Sequence, residues 1–233
     1  MPITRRRLAA TAAIPTLLAA LAACGPSGGG QAAKAPTSRP PVAGVHPVPV
    51  GAGPQATYSV AAQPADGSCR VRFTADKQPL PDPVCTPGAT SPAVTQANLS
   101  STICKAGGYT SAIRPPTNIT GKEKAANARS YGYTGPMGDA EYDHLISLQL
   151  GGDPNDPRNL WVEPPSPDHV PGKGPNNPKD SVETRLHTAI CKGQTTLAAA
   201  QQAIAADWTT AESVLGLKGD APASTGDPDD DAN

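Results

Sequence analysis

Asp143 and His144 stand side by side in "EYDHLISLQLGG" (residues 141–152). An imidazole ionises near ~6.5, so His144 is suited to take a proton from water at neutral pH. Asp143 offers the hard oxygen ligands that hold Mg²⁺ or Mn²⁺, with Zn²⁺ as the alternative ion. Base and cation together are what phosphodiester hydrolysis needs: one activates water, the other stabilises the added negative charge and the departing oxygen. Arg158, Lys179 and Arg185 are the expected phosphate-binding side chains, with Lys173 and Arg114 as further cations. Asp180, Glu183 and His187, spaced by three and four, would share one helix face and join or orient such a site.

Plainer roles stand beside these. Asp180 suits a helix start through the dipole, and Asn159 suits an Asx turn. Trp161 and Trp208 read as core anchors. His46 and His169 are assigned no role.

The elements that would position these residues are legible in outline. "YDHLISLQL" and "NLWVEP" read as two strands joined by a Gly/Asp/Asn/Pro loop. A helix follows in "PKDSVETRLHTAICKG", with Pro178 at its first position, Val182, Leu186 and Ile190 as its apolar stripe, and Gly193 as its stop. Upstream, "TYSVAA" and "CRVRFTA" suggest a hairpin turning at "ADGS", with Val71 and Phe73 on its buried side. Helices are expected over residues 95–106, over "GKEKAANARSYGY", and from about Thr196 to Leu215. The order is α+β, a single small domain over residues 57–216 with its motif core at 141–191.

The flanks differ in character. The 28 prolines and 23 glycines stand against only eight aromatics, so parts of the chain bury too little apolar surface to fold. Residues 24–56 read as a disordered Pro/Gly/Ala spacer, and residues 217–233, with Asp229, Asp230 and Asp231, as an acidic solvated tail. Residues 1–23 have the basic start, apolar stretch and small-residue end of an export signal. Leu21-Ala22-Ala23-Cys24 resembles a bacterial lipobox, which implies cleavage before Cys24, a diacylglyceryl anchor on its sulfur and a place on the outer face of the membrane, or secretion. Four further thiols in an exported chain suggest two disulfides with three arithmetically open pairings. The expected pairing joins Cys69 to Cys85 across a local hairpin and Cys104 to Cys191 between two helix ends. Formal charge is −1, and loss of Arg5, Arg6 and Arg7 takes it to about −4, which excludes a global basic field for recruiting nucleic acid.

"YDHLISLQLGG", "DPRNLWVEP" and the polar helix, in this order, resemble the HNH motif of the ββα-metal nucleases. They resemble more closely secreted bacterial proteins in which "DHLxxLxLGG", "NLW" and "KDxxExxLH" recur. The resemblance implies an enzyme cleaving nucleic acid at the cell envelope, DNA ahead of RNA, as a monomer without a small-molecule cofactor. It makes His144 the general base, Asp143 a metal ligand, and Asn159 the middle Asn whose side chain ties the loop together through backbone hydrogen bonds. The third element, from the helix start, would be Asn176 or Asn177. Neighbours on a regular strand face opposite ways, so the resemblance also implies a first strand distorted at Asp143 and His144. The alternative is an envelope binding or structural lipoprotein that keeps the scaffold without turnover.

Overall fold

The computed structural model describes residues 47–217 except Asn176. The signal segment, Cys24, His46 and nearly all of the acidic tail lie outside the described residues. Among those described, no helix is long and apolar enough to cross a membrane.

Among the described residues, two short antiparallel sheets and five α-helices make up an α+β domain. In chain order they are β1 (Arg72–Phe73), β2 (Pro79–Leu80), α1 (Tyr109–Ile113), α2 (Thr117–Tyr131), β3 (Glu141–His144), β4 (Leu160–Glu163), α3 (Pro178–Cys191), α4 (Leu197–Ala206) and α5 (Ala211–Val214). β3 pairs with β4 in the register Glu141↔Glu163, Tyr142↔Val162, Asp143↔Trp161 and His144↔Leu160. Tyr142, Leu160 and Val162 pack with Ala128 of α2, while Asn127 of α2 bonds both the N–H of Val162 and the carbonyl of Leu160. The larger core gathers Ile146 and Leu150 with Val182, Leu186 and Ile190 of α3 and with Leu197, Ala200 and Ile204 of α4.

Local chemistry explains the boundaries. α2 stops at Gly132, whose φ of 63° belongs to the left-handed region and whose N–H turns back to the Ala128 carbonyl. α3 opens with Pro178, whose missing N–H would have no helical partner there. Both disulfides form in the expected pairing, Cys69–Cys85 and Cys104–Cys191. The second closes a sequence separation of 87 residues and the first one of 16, so in chain-entropy terms the second constrains the unfolded chain more. Two disulfides fit an oxidising, extracytoplasmic setting.

Five expectations are corrected. "YDHLISLQL" is strand only as far as His144, and Leu148–Leu150 form a 3-10 turn that ends at Gly151. "TYSVAA" is not a strand: β1 pairs instead with β2, through a turn in which Lys77 has φ 61°. Residues 58–61 belong to no strand, and the Ala61 N–H donates to Glu123 of α2 (2.6 Å). Phe73 is consequently exposed rather than half-buried. The helix expected over 95–106 shrinks to a 3-10 turn at Leu99–Ser101, because Asn98 draws the Thr95 N–H and the Thr102 hydroxyl into local bonds. The last helix breaks at Asp207, whose carboxylate accepts from Thr209 N–H and Oγ1, and Trp208 turns its indole N–H to the Pro79 carbonyl. Finally, the spacer yields to ordered chain before residue 56. Gly51 N–H donates to Thr90 O (2.8 Å), and Gly53 N–H donates to the Asp153 carboxylate (2.6 Å).

Candidate functional site

The β3–β4 ladder is regular through Asp143↔Trp161 and His144↔Leu160. The expected distortion is absent, so Asp143 and His144 face opposite sides of the hairpin. Two chemically different faces result.

On the Asp143 side, period two along β3 and the register with β4 bring Glu141, Asp143, Trp161 and Glu163 to one face. The Trp161 indole N–H donates to Asp143 Oδ2 (2.9 Å), and its ring packs against Tyr131. From the first turn of α3, the fully buried Lys179 donates to Asp143 Oδ1 (2.9 Å) and to the backbone carbonyl of His144 (2.9 Å). It also donates to Glu183, one turn along the same helix. Burial acts to discharge this ammonium, yet the Asp143, Glu183 and Glu163 carboxylates hold its pKa well above the ordinary lysine value. Burial, reinforced by the Asp143 charge, pushes Glu141 and Glu163 well above the ordinary carboxylate range. Asn177 gives its amide N–H to Glu141 (3.0 Å), and its oxygen accepts from Ser166 (3.5 Å).

On the other side, His144 Nε2 lies 3.0 Å from the Pro154 carbonyl. A carbonyl only accepts, so Nε2 carries the hydrogen and the lone pair sits on Nδ1. Burial, and after it the charge of Arg114, lowers the His144 pKa to about 4. The ring is neutral at pH 7.

Asn159 holds the loop that presents Pro154. Fully buried, its oxygen accepts from the N–H of Ile146 (3.0 Å) and Ala89 (3.3 Å). Its amide donates to the carbonyls of Ile146 and Asp153 (3.0 Å each). Asn159 therefore positions the loop, with every polar valence turned to backbone. Gly152 is required beside it: a Cβ there would lie 1.7 Å from the Ile146 carbonyl oxygen.

The expected phosphate binders are engaged by acids instead. Arg158 is bidentate on Asp156, and Arg185 is bidentate on Glu212 (2.7 Å each). Lys179 has no exposure at all. The charge of Arg114, and less strongly that of Lys179, reaches His144, while Lys173 lies on the exposed loop before α3. The polar stripe of α3 divides: Glu183 joins Lys179, and Asp180 bears electrostatically on Glu141. His187 turns away, its Nε2 donating to the Ile103 carbonyl (2.8 Å) next to the Cys104–Cys191 bridge. His169 sits 3.3 Å from Asp139, apart from both faces.

The metal site that the resemblance implies would join Asp143 to an asparagine oxygen from the start of α3, beside His144. Asn177 points its amide hydrogens at Glu141, and the His144 ring lies on the face away from Asp143. These described residues do not fit a cation of that kind; Asn176 lies outside them. Sequence reading missed Glu141 and Glu163. Their signal is the i, i+2 spacing of Glu141 with Asp143, together with a strand register that brings Glu163 opposite. No family model, curated protein or solved structure matches this chain.

Proposed function

We propose that this domain hydrolyses phosphodiester bonds of nucleic acid, DNA ahead of RNA, at the cell envelope, with His144 as general base. The observation that supports it is the His144 ring: neutral, tied through Nε2 to the Pro154 carbonyl, with a proton-accepting Nδ1 and the charge of Arg114 nearby. In this reading Nδ1 takes a proton from water as the water oxygen bonds to phosphorus and the ester P–O bond breaks; the departing oxygen takes a proton from solvent, and the imidazolium returns its own to solvent. The Arg114 charge offsets the negative charge gathering on the phosphoryl oxygens. Asn159 keeps the Pro154 carbonyl in place and touches no reacting atom. No step is assigned to a metal ion; Mg²⁺ and Mn²⁺ enter only as arms of the test.

The test incubates the oxidised chain with supercoiled plasmid and with RNA, in Mg²⁺, Mn²⁺ or EDTA, beside His144→Ala. Removing a general base costs about 10²–10⁴-fold in rate, so wild-type nicking should fall at least about 100-fold in the variant. Equal cutting by both proteins, or by neither, ends the reading.

A second reading, an envelope binding or structural module without turnover, is favoured by the Lys179 ammonium on Asp143. It predicts a folded, oxidised protein that cuts nothing in any arm.

A further inference from the structure

We propose that Glu141, Asp143 and Glu163 form a binding site for a hard divalent cation, Ca²⁺ by preference, which ties β3 to β4 on the face reached by α3. The three side chains are buried, and one carboxylate oxygen from each lies within 4.8 Å of the others. Ca²⁺ takes oxygens at about 2.3–2.6 Å, so three ligands of one ion span up to about 5 Å; Mg²⁺, at about 2.0–2.1 Å, demands a tighter set and keeps several waters. A buried site made of protein carboxylates therefore suits the larger ion.

The second observation is Glu163 itself. It has no exposure, and both its oxygens lack a hydrogen-bond partner among the described residues. The obvious donors nearby are committed. An ammonium has three hydrogens, and those of Lys179 go to Asp143, the His144 carbonyl and Glu183. Trp161 donates to Asp143, and Asn177 donates to Glu141. Glu163 stands directly across the ladder from Glu141, and two ionised carboxylates so opposed cost stability unless something lies between them. Four buried carboxyl groups, Glu141, Asp143, Glu163 and Glu183, face the single buried ammonium of Lys179. A divalent ion would meet both deficits at once: it would ligate the Glu163 oxygens and balance two charges. The Asp143 oxygens keep lone pairs beyond the bonds they accept.

The site lies on the face opposite the His144 ring, so it is a fold-holding site and does not rest on the hydrolytic reading. A proton shared between Glu141 and Glu163 is the competing way to balance the charge, and it predicts no response to cations.

The experiment uses the oxidised full chain, stripped with EDTA and dialysed. Tb³⁺ serves as the Ca²⁺ surrogate, and its luminescence is excited through Trp161, whose indole is hydrogen-bonded to Asp143. Sensitised emission displaced by millimolar Ca²⁺, and a melting midpoint several degrees higher in Ca²⁺ than in EDTA, are expected. Glu163→Gln should lose both responses, with its fold checked by near-ultraviolet circular dichroism. Identical wild-type melting in Ca²⁺ and EDTA without sensitised emission overturns the proposal, whether or not the variant folds. Undiminished Tb³⁺ emission from folded Glu163→Gln overturns it as well.

Discussion

The Lys179 ammonium lies 2.9 Å from Asp143 Oδ1 and equally close to the backbone carbonyl of His144, while the His144 ring turns to the other face of the hairpin. One side chain from α3 thus grips the strand at both residues of the Asp-His pair. It engages His144 through the main chain alone, so the ring is left to the loop and to Arg114.

Lys179→Met should be among the most damaging single changes in the domain. It keeps much of the aliphatic bulk but strands Asp143 as a buried charge without its counterion. Breaking a buried ion pair from one side costs about 3–5 kcal/mol. Urea unfolding at pH 7 measures this. The double variant Lys179→Met/Asp143→Asn should recover part of the loss, because the stranded charge on β3 goes with its partner.

Acid should destabilise the domain through His144. In the fold the ring ionises at about 4, against ~6.5 in an unfolded chain. Between those values the unfolded state holds more protons. The stability contributed by the neutral ring is therefore complete above about pH 6.5 and lost as pH falls toward 4, at most about 3 kcal/mol over the window. Glu141 and Glu163, pushed upward by burial, act in the opposite sense: they lose stability as pH rises above the ordinary carboxylate value. The informative quantity is therefore wild type against His144→Gln, compared by urea midpoints from pH 4 to 7.5. The stability difference should shrink steadily toward the acid end; a constant difference would show that the ring titrates normally.

Asn159→Asp tests the loop clamp with almost no change in shape. It removes both donors to the Ile146 and Asp153 carbonyls and sets an oxygen against them. An unsatisfied buried polar group costs about 1–3 kcal/mol, so two should bring the loss to about 3 kcal/mol or more. Hydrogen exchange at the Ile146 amide should quicken further than at Asp143, whose ladder pairing with Trp161 does not depend on Asn159.

Much of the local architecture was legible because its causes are local. Pro178 and Gly193 punctuate α3, two apolar runs mark β3 and β4, and the cysteine spacing suggested the pairing that forms. The failures share a cause as well. Leu99 and Ile103 carried a helical spacing, yet Asn98 offered the backbone closer partners. Val71 and Phe73 alternated like a half-buried strand, but no element covers Phe73.

At the site, the residues determine the chemistry available: an imidazole, an asparagine that can donate and accept, and an excess of carboxylates over cations. Side chains on adjacent residues of a strand point apart whatever their chemistry, so proximity in sequence could not make Asp143 and His144 one site. Only the register of β3 with β4, set by packing against α2, brings Glu163 opposite Glu141. Only the docking of α3 drives Lys179, by type a surface residue, into the middle of that acidic face. Both depend on contacts between segments far apart in the chain, and there the tertiary structure alone decided which charges meet.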